Sequence, residues 1–312
     1  MTIGFVGDIC LGNDFNEKYS PVNAMDDSLL EEMVNVDIMV ANSEVVFSDR
    51  GEETKWKLFH MRSRPENISY LQQMGIDLLT LANNHVYDYG LEGLEDTLKT
   101  IDEAGIKRTG AGKNYQEASK PAVFNVNGLK IAFISGCSSE FPLQKPTARA
   151  TENHEGIMSG YFFGNKLVRE IKKAKENNDY VFVFMHWGIE NTTLLTPWQR
   201  INARKFINAG ADAVIGCHPH IVQGIEYYRG APIFYSLGNF IFDQSDSKTR
   251  LMVKLTIEEG KLSSFVIPCK GFLHIIENDT DKNEFFMDLS KYSPGRGIKI
   301  DSNGAVLTNV FN

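Results

Sequence analysis

Seven short apolar runs, most of them continuous rather than alternating, set the strongest limit on what this chain can fold into. They are Ile3–Val6, Val36–Val40, Leu78–Leu81, Lys130–Ser135, Tyr180–Met185, Ala213–Ile215 and Ile233–Leu237. Continuous runs of this length are the pattern of strands covered on both faces. Between several of them, apolar residues recur at spacings of three and four over Glu66–Met74, Gly90–Ala104, Asn165–Glu176 and Pro197–Ala209. Such spacing predicts helices, and Pro65 and Pro197 stand where a first-turn proline fits. Strands alternating with helices predict an α/β fold. After about Asp243 the period changes: Leu251–Ile257 and Leu262–Pro268 alternate around Glu258-Glu259-Gly260-Lys261, a hairpin signal. No repeat or low-complexity linker divides the 312 residues. The expected organisation is a catalytic domain over residues 1–245 with a β-rich C-terminal extension, residues 246–312, packed on the same domain.

The formal net charge of -8 argues against a nucleic-acid partner, since neutralising a run of phosphates needs clustered Lys and Arg. A small anion held at metal cations remains compatible, because the cations supply the local positive field. Cys10, Cys137, Cys217 and Cys269 are widely spaced and form no CxxC pair, which favours a reducing compartment. The segment Met1-Thr2-Ile3-Gly4-Phe5-Val6 runs directly into the first strand, with no signal-like stretch or membrane span, so a cytoplasmic location is expected.

Five polar islands end apolar runs, where open α/β sheets place their ligand crevices. Gly216-Cys217-His218-Pro219-His220 sets two imidazoles at ligand spacing. Asp8 follows the first strand and is either a hard cation ligand or a cap for the next turn. Glu44 either bridges two cations, one oxygen to each, or is an exposed loop acid. Asn84 offers a neutral oxygen ligand, and His85 beside it can act as general acid toward a leaving oxygen; alternatively the two asparagines form an Asx turn. Asp88 either caps the following helix or orients His85 by accepting its other N–H. His186 closes a strongly apolar strand and gains weight as a ligand only from the company of His218 and His220. Gly238 and Asn239 are expected to shape the rim. Six oxygen and nitrogen donors beside a further histidine suit two divalent metal ions, of which Mn, Fe and Zn all match imidazole and carboxylate ligands.

Taken in order, Gly-Asp-Ile-x-Leu-Gly, Asn-x-Glu, Leu-Ala-Asn-Asn-His-x-x-Asp-x-Gly, His-Trp-Gly-x-Glu, His-Pro-His-x-x-Gln-Gly and Tyr-Ser-Leu-Gly-Asn-Phe-x-Phe-Asp resemble the CapA family. These are poly-γ-glutamate capsule biosynthesis proteins within the calcineurin-like metallophosphoesterase superfamily, and the likeness covers roughly residues 1 to 270. The resemblance implies a layered metallophosphoesterase-like αββα sandwich. It implies that Asp8, Glu44, Asn84, His186, His218 and His220 line a two-metal site, that His85 sits against the leaving group, and that Arg62, in Met-Arg-Ser-Arg-Pro, contacts an anion. Cys10 replaces the histidine, the third residue, of the superfamily's Asp-x-His, and Glu190-Asn191 replaces the family's Glu-Tyr. The implied function is hydrolysis of a phosphoester or related bond, or else metal-dependent binding of an anionic polymer such as polyglutamate. The implied partner in either case is an anionic small molecule or polymer.

Overall fold

In the computed structural model the described residues are 1–12, 15, 25–55, 57–139, 149–160, 165–242, 250–272, 275–278, 282–294 and 298–308. Asp243 and the expected junction at 245 and 246 lie outside them. Fourteen strands, numbered along the chain, build two large sheets: β1 (Thr2–Cys10), β2 (Ile38–Ser43), β3 (Leu78–Thr80), β4 (Lys107–Thr109), β5 (Ala122–Val126), β6 (Leu129–Ser139), β7 (Tyr180–Gly188), β8 (Ala213–Cys217), β9 (Ile225–Tyr228), β10 (Ala231–Phe234), β11 (Asn239–Phe242), β12 (Arg250–Glu258), β13 (Lys261–Phe272) and β14 (Ile275–Asn278). The first sheet runs β14-β13-β12-β1-β2-β3-β4, with β11 also paired to β1. The second runs β9-β10-β8-β7-β6-β5. Strands β1 to β4 are parallel, as are β6, β7, β8 and β10.

The alternation of side chains assigns each strand two faces. Ile3, Phe5, Ile38, Val40 and Leu78 of the first sheet meet Ile131, Phe133, Phe182, Phe184 and Ile215 of the second, making the central core. The opposite faces are covered by helices. Over the first sheet lie α1 (Asp27–Val34), α2 (Ile68–Gln73) and α3 (Gly90–Glu103), through Leu29, Met33, Leu71, Leu94 and Leu98. After the short α4 (Tyr115–Ala118), α5 (Asn165–Lys175) and α6 (Pro197–Asn208) cover the second sheet through Leu167, Ile171, Ala203 and Phe206. The result is the four-layer αββα sandwich. Helix α6 begins on the Thr196–Gln199 capping box with Pro197 in its first turn, so the chain enters it at a fixed angle.

The alternating segment after residue 250 does not form a sheet of its own. Strand β12 pairs antiparallel with β1 from Thr2 opposite Thr256 to Phe5 opposite Val253, and β13 and β14 extend the same sheet. A last helix, α7 (Lys282–Tyr292), packs Phe286 and Leu289 into the central core. Among the described residues no helix is long and apolar enough to cross a membrane.

One close approach fixes the top of β1. Asp8 N–H donates to the Gly238 carbonyl at 3.1 Å, and a Cβ on Gly7 would lie 1.8 Å from that same oxygen. Gly7→Ala must therefore part β1 from the segment leading into β11. It is expected to cost about 3 kcal/mol in urea unfolding. Gly230→Ala, at a positive φ but in open space, is expected to cost only about 1 kcal/mol. Equal costs for the two would contradict the constraint.

Candidate metal centre

The ligand candidates of the five strand-end islands arrive at one rim. Asp8 stands within β1, Glu44 follows β2, Asn84 and His85 follow β3, His186 lies near the end of β7, and His218 and His220 follow β8. Asp8 is fully buried and satisfied: Asn42 Nδ2 donates to Oδ1 at 2.7 Å and the His218 backbone N–H to Oδ2 at 2.9 Å. Asn83 braces the neighbouring loop, donating to the Ser43 carbonyl at 2.7 Å while its Oδ1 accepts from the N–H groups of His85 and Val86 at 3.0 Å. That is the Asx-type turn, and it is Asn83 that makes it, which frees Asn84. The Asn84 Oδ1 lies 2.5 Å from His186 Nε2.

Glu44 is the anomaly. It is completely buried, and among the described residues neither carboxylate oxygen has a hydrogen-bond partner. Buried polar atoms in folded proteins are nearly always satisfied, and an unsatisfied charged one is costlier still. His218 Nδ1 is buried without a partner as well. The ligand atoms of Glu44, His186 and His218 lie within 4.8 Å of one another, and so do those of Asp8, Glu44 and His220. Two donor groups thus share Glu44, the arrangement needed for a carboxylate between two cations. These residues fit divalent cations: oxygen and imidazole donors, converging, with orphaned atoms that a cation would satisfy.

The electrostatics agree. Burial, then the charge of Asp8, pushes the Glu44 carboxyl well above the usual carboxylate range. Burial pushes His85 and His186 down to about 4, and His218 is lowered by burial and its histidine neighbours. His220 is lowered by burial, but Glu44, Asp8 and the hydrogen bond to Asn239 outweigh this and leave it raised. The imidazoles are therefore mostly held neutral, as metal ligands must be. His220 Nδ1 sits 2.7 Å from Asn239 Oδ1, which aims the other ring nitrogen, and His186 Nδ1 sits 3.3 Å from Cys217 Sγ. Both His218 and His220 have positive φ, 96° and 60°, an uncommon backbone held by the surrounding contacts.

A second cluster adjoins the first. His85 Nδ1 lies 2.6 Å from Asp88 Oδ2, and His85 Nε2 lies 3.8 Å from Glu44 Oε1, so Asp88 orients the ring toward the cluster. Lys57 Nζ, largely buried, donates to Asp88 Oδ1 and to the Asn84 carbonyl at 2.6 Å. Burial lowers the Lys57 pKa, with the Asp88 carboxylate opposing. Arg62 is placed differently: its Nη2 donates to the carbonyls of Arg50 and Gly51, and its guanidinium lies 3.5 Å over the Tyr89 ring. Lys57 was not legible as a functional residue, because it lies in the polar stretch Glu52–Lys57 with no strand before it. Asn42 and Asn83 were visible inside their motifs, but their bracing roles depend on three-dimensional partners. Cys10, by contrast, is buried in the core under the helices of the first sheet and joins neither of these donor groups.

The model of the bacterial capsule synthesis protein family PGA_cap matches residues 2–244. The chain belongs to the PGA_cap family. A capsule biosynthesis protein CapA of Bacillus anthracis is 32% identical over 307 residues, covering 93% of this chain and 73% of that protein. The PGA biosynthesis protein CapA of Bacillus subtilis is 33% identical, covering 80% of this chain and 65% of its own length. Among solved structures, TT1561 of Thermus thermophilus is similar at 8% identity and a TM-score of 0.46, over 85% of this chain and 98% of that one. The PGA_cap match takes in all of the clustered residues, from Asp8 to His220.

Because the folded-state pKa of Glu44 is raised, folding favours its protonated form. Its contribution to stability is full below the unfolded carboxylate pKa and is lost as pH rises through the folded value. In the presence of chelator, Glu44→Gln should therefore raise stability at neutral pH by about 1–3 kcal/mol, the gain vanishing near pH 4. Urea unfolding at several pH values checks this; a variant less stable than wild type at neutral pH would contradict it.

Proposed function

We propose that this PGA_cap protein is a hydrolase of a phosphoester or related bond, working with two divalent cations on an anionic substrate. The observation that carries the reading is Glu44, buried, unsatisfied and common to two converging donor groups. Asp8, Glu44 and His220 would hold one cation; Glu44, Asn84, His186 and His218 the other. When bound, the cations would polarise the scissile group and make a water nucleophilic at neutral pH.

The chain's own residues supply the rest. Asp88 Oδ2 accepts the hydrogen bond of His85 Nδ1–H and keeps Nε2 turned toward the cluster. An anionic leaving oxygen beside Nε2 would raise the ring's affinity for a proton, and His85 would then deliver that proton. Lys57 fixes Asp88 from behind and supplies the positive charge on this wall. Arg62, engaged with the carbonyls of Arg50 and Gly51, is assigned to shaping the wall.

A second reading is favoured by the likeness to the Bacillus subtilis relative, a PGA biosynthesis protein. In that reading the same cations bind the carboxylates of poly-γ-glutamate without cleaving it. Stripped protein reloaded with Mn and assayed on aryl phosphate mono- and diesters separates the two. Hydrolysis is expected, abolished in His218→Ala and lowered about 100-fold in kcat in Asp88→Asn. No turnover with Mn, Fe or Zn, or full turnover in His218→Ala, would overturn the hydrolase. Chelator-sensitive retention of poly-γ-glutamate without turnover would establish the binding reading instead.

A further inference from the structure

The donor groups shared by Glu44 are buried or half-buried, but a third group is not. The carboxylate of Glu190 lies within 4.8 Å of ring nitrogens of both His218 and His220, and Glu190 is exposed.

Its position is built rather than incidental. Strand β7 ends at Gly188, whose φ of 91° turns the chain over the rim. A Cβ at Gly188 would meet the Gln199 side-chain amide at 2.8 Å, so the turn packs directly on the start of α6. Asn191, also at a positive φ, 57°, donates its backbone N–H to the Pro219 carbonyl at 2.9 Å. Asparagine is one of the few residues that adopts this conformation readily. Gln223 Nε2 holds the Thr192 carbonyl at 2.9 Å, and Gln199 in turn holds Gln223 at 2.8 Å. The backbone after Glu190 is thus tied to the turn that carries His218 and His220, and before it Gly188 packs on the start of α6, while the Glu190 side chain stays open to solvent.

We propose that Glu190 is an exchangeable ligand on the solvent side of the cation site: it occupies the open position when no substrate is present, and the anionic group of the substrate displaces it. The proposal rests on the two-cation reading and assigns one more residue to it. Asp8 and Glu44 are buried and cannot leave, whereas an exposed carboxylate on a pinned backbone exchanges by rotating its side chain alone. A group that must be displaced lowers the apparent affinity of the incoming anion by the fraction of time the position is occupied. Glu190 therefore strengthens cation binding and weakens anion binding, two effects of opposite sign from one carboxylate. A residue that only braces the fold would produce neither effect, and a carboxylate acting through space alone would lose both at high salt, whereas a displaced ligand keeps them.

The test uses the full chain and Glu190→Gln, a surface substitution that keeps the side chain's shape. Mn binding is measured by titration calorimetry on the stripped protein, and inorganic phosphate binding on the Mn-loaded protein. Relative to wild type, Glu190→Gln is expected to bind Mn about tenfold more weakly and phosphate about tenfold more tightly. Unchanged Mn affinity, or phosphate affinity that is unchanged or weaker, would overturn the role of Glu190 while leaving the two-cation site standing. Wild-type protein that binds no Mn would overturn the site itself, and the exchangeable ligand with it.

Discussion

Asp8 and Glu44 are two carboxylates buried side by side at the ends of adjacent parallel strands, and the local structure is organised around their charge. Moving an ionised carboxylate out of water costs several kcal/mol even after relaxation. For Asp8 the cost is offset by Asn42 and by the backbone of His218. For Glu44 no hydrogen bond among the described residues does so, and the nearby charges of His220 and Lys57 offset burial only in part. The surrounding cores, three apolar layers in an αββα stack, supply the stability that lets such a residue persist. Natural folds carry this kind of local defect where binding requires it, since the same atoms left unsatisfied in the free protein are the ones a cation satisfies.

The defect also lies at the seam between the two sheets. Asp8, Glu44, Asn84 and His85 come from the first sheet and its loops, while His186, His218 and His220 come from the second. Cations held among them would tie the sheets together at their upper edges, above the Phe5, Phe133 and Phe182 contacts that join them lower down. The crossing of β11 to pair with β1, carrying Asn239 from the second sheet's side toward His220, is part of the same seam. Gly7 is required there by proximity, since its segment approaches the Gly238 carbonyl so closely that no side chain fits, and Gly238 itself sits at a positive φ of 71° that favours glycine.

Much of this was legible in the sequence because both the fold and the site obey short-range rules. Continuous apolar runs marked the parallel strands, and the helices at Gly90, Asn165 and Pro197 start at the residues their spacing predicted. Less was legible where partners come from far along the chain. The alternation after residue 250 reads as a hairpin, yet only pairing with β1 reveals that it completes the first sheet. The ligand residues could be picked by type and by resemblance, but their supports could not. Lys57 reaches Asp88 across 31 positions, and Asn191 reaches Pro219 through a single backbone hydrogen bond.

The central claim is that Glu44 stands between two cations. The most direct measurement is anomalous diffraction from crystals grown with Mn, supported by elemental analysis of the same preparation. The account predicts two anomalous peaks about 3.5–4 Å apart, one on either side of the Glu44 carboxylate, among the side chains of Asp8, Asn84, His186, His218 and His220. A single peak bound by only one of the two donor groups, or none at Glu44, would contradict it.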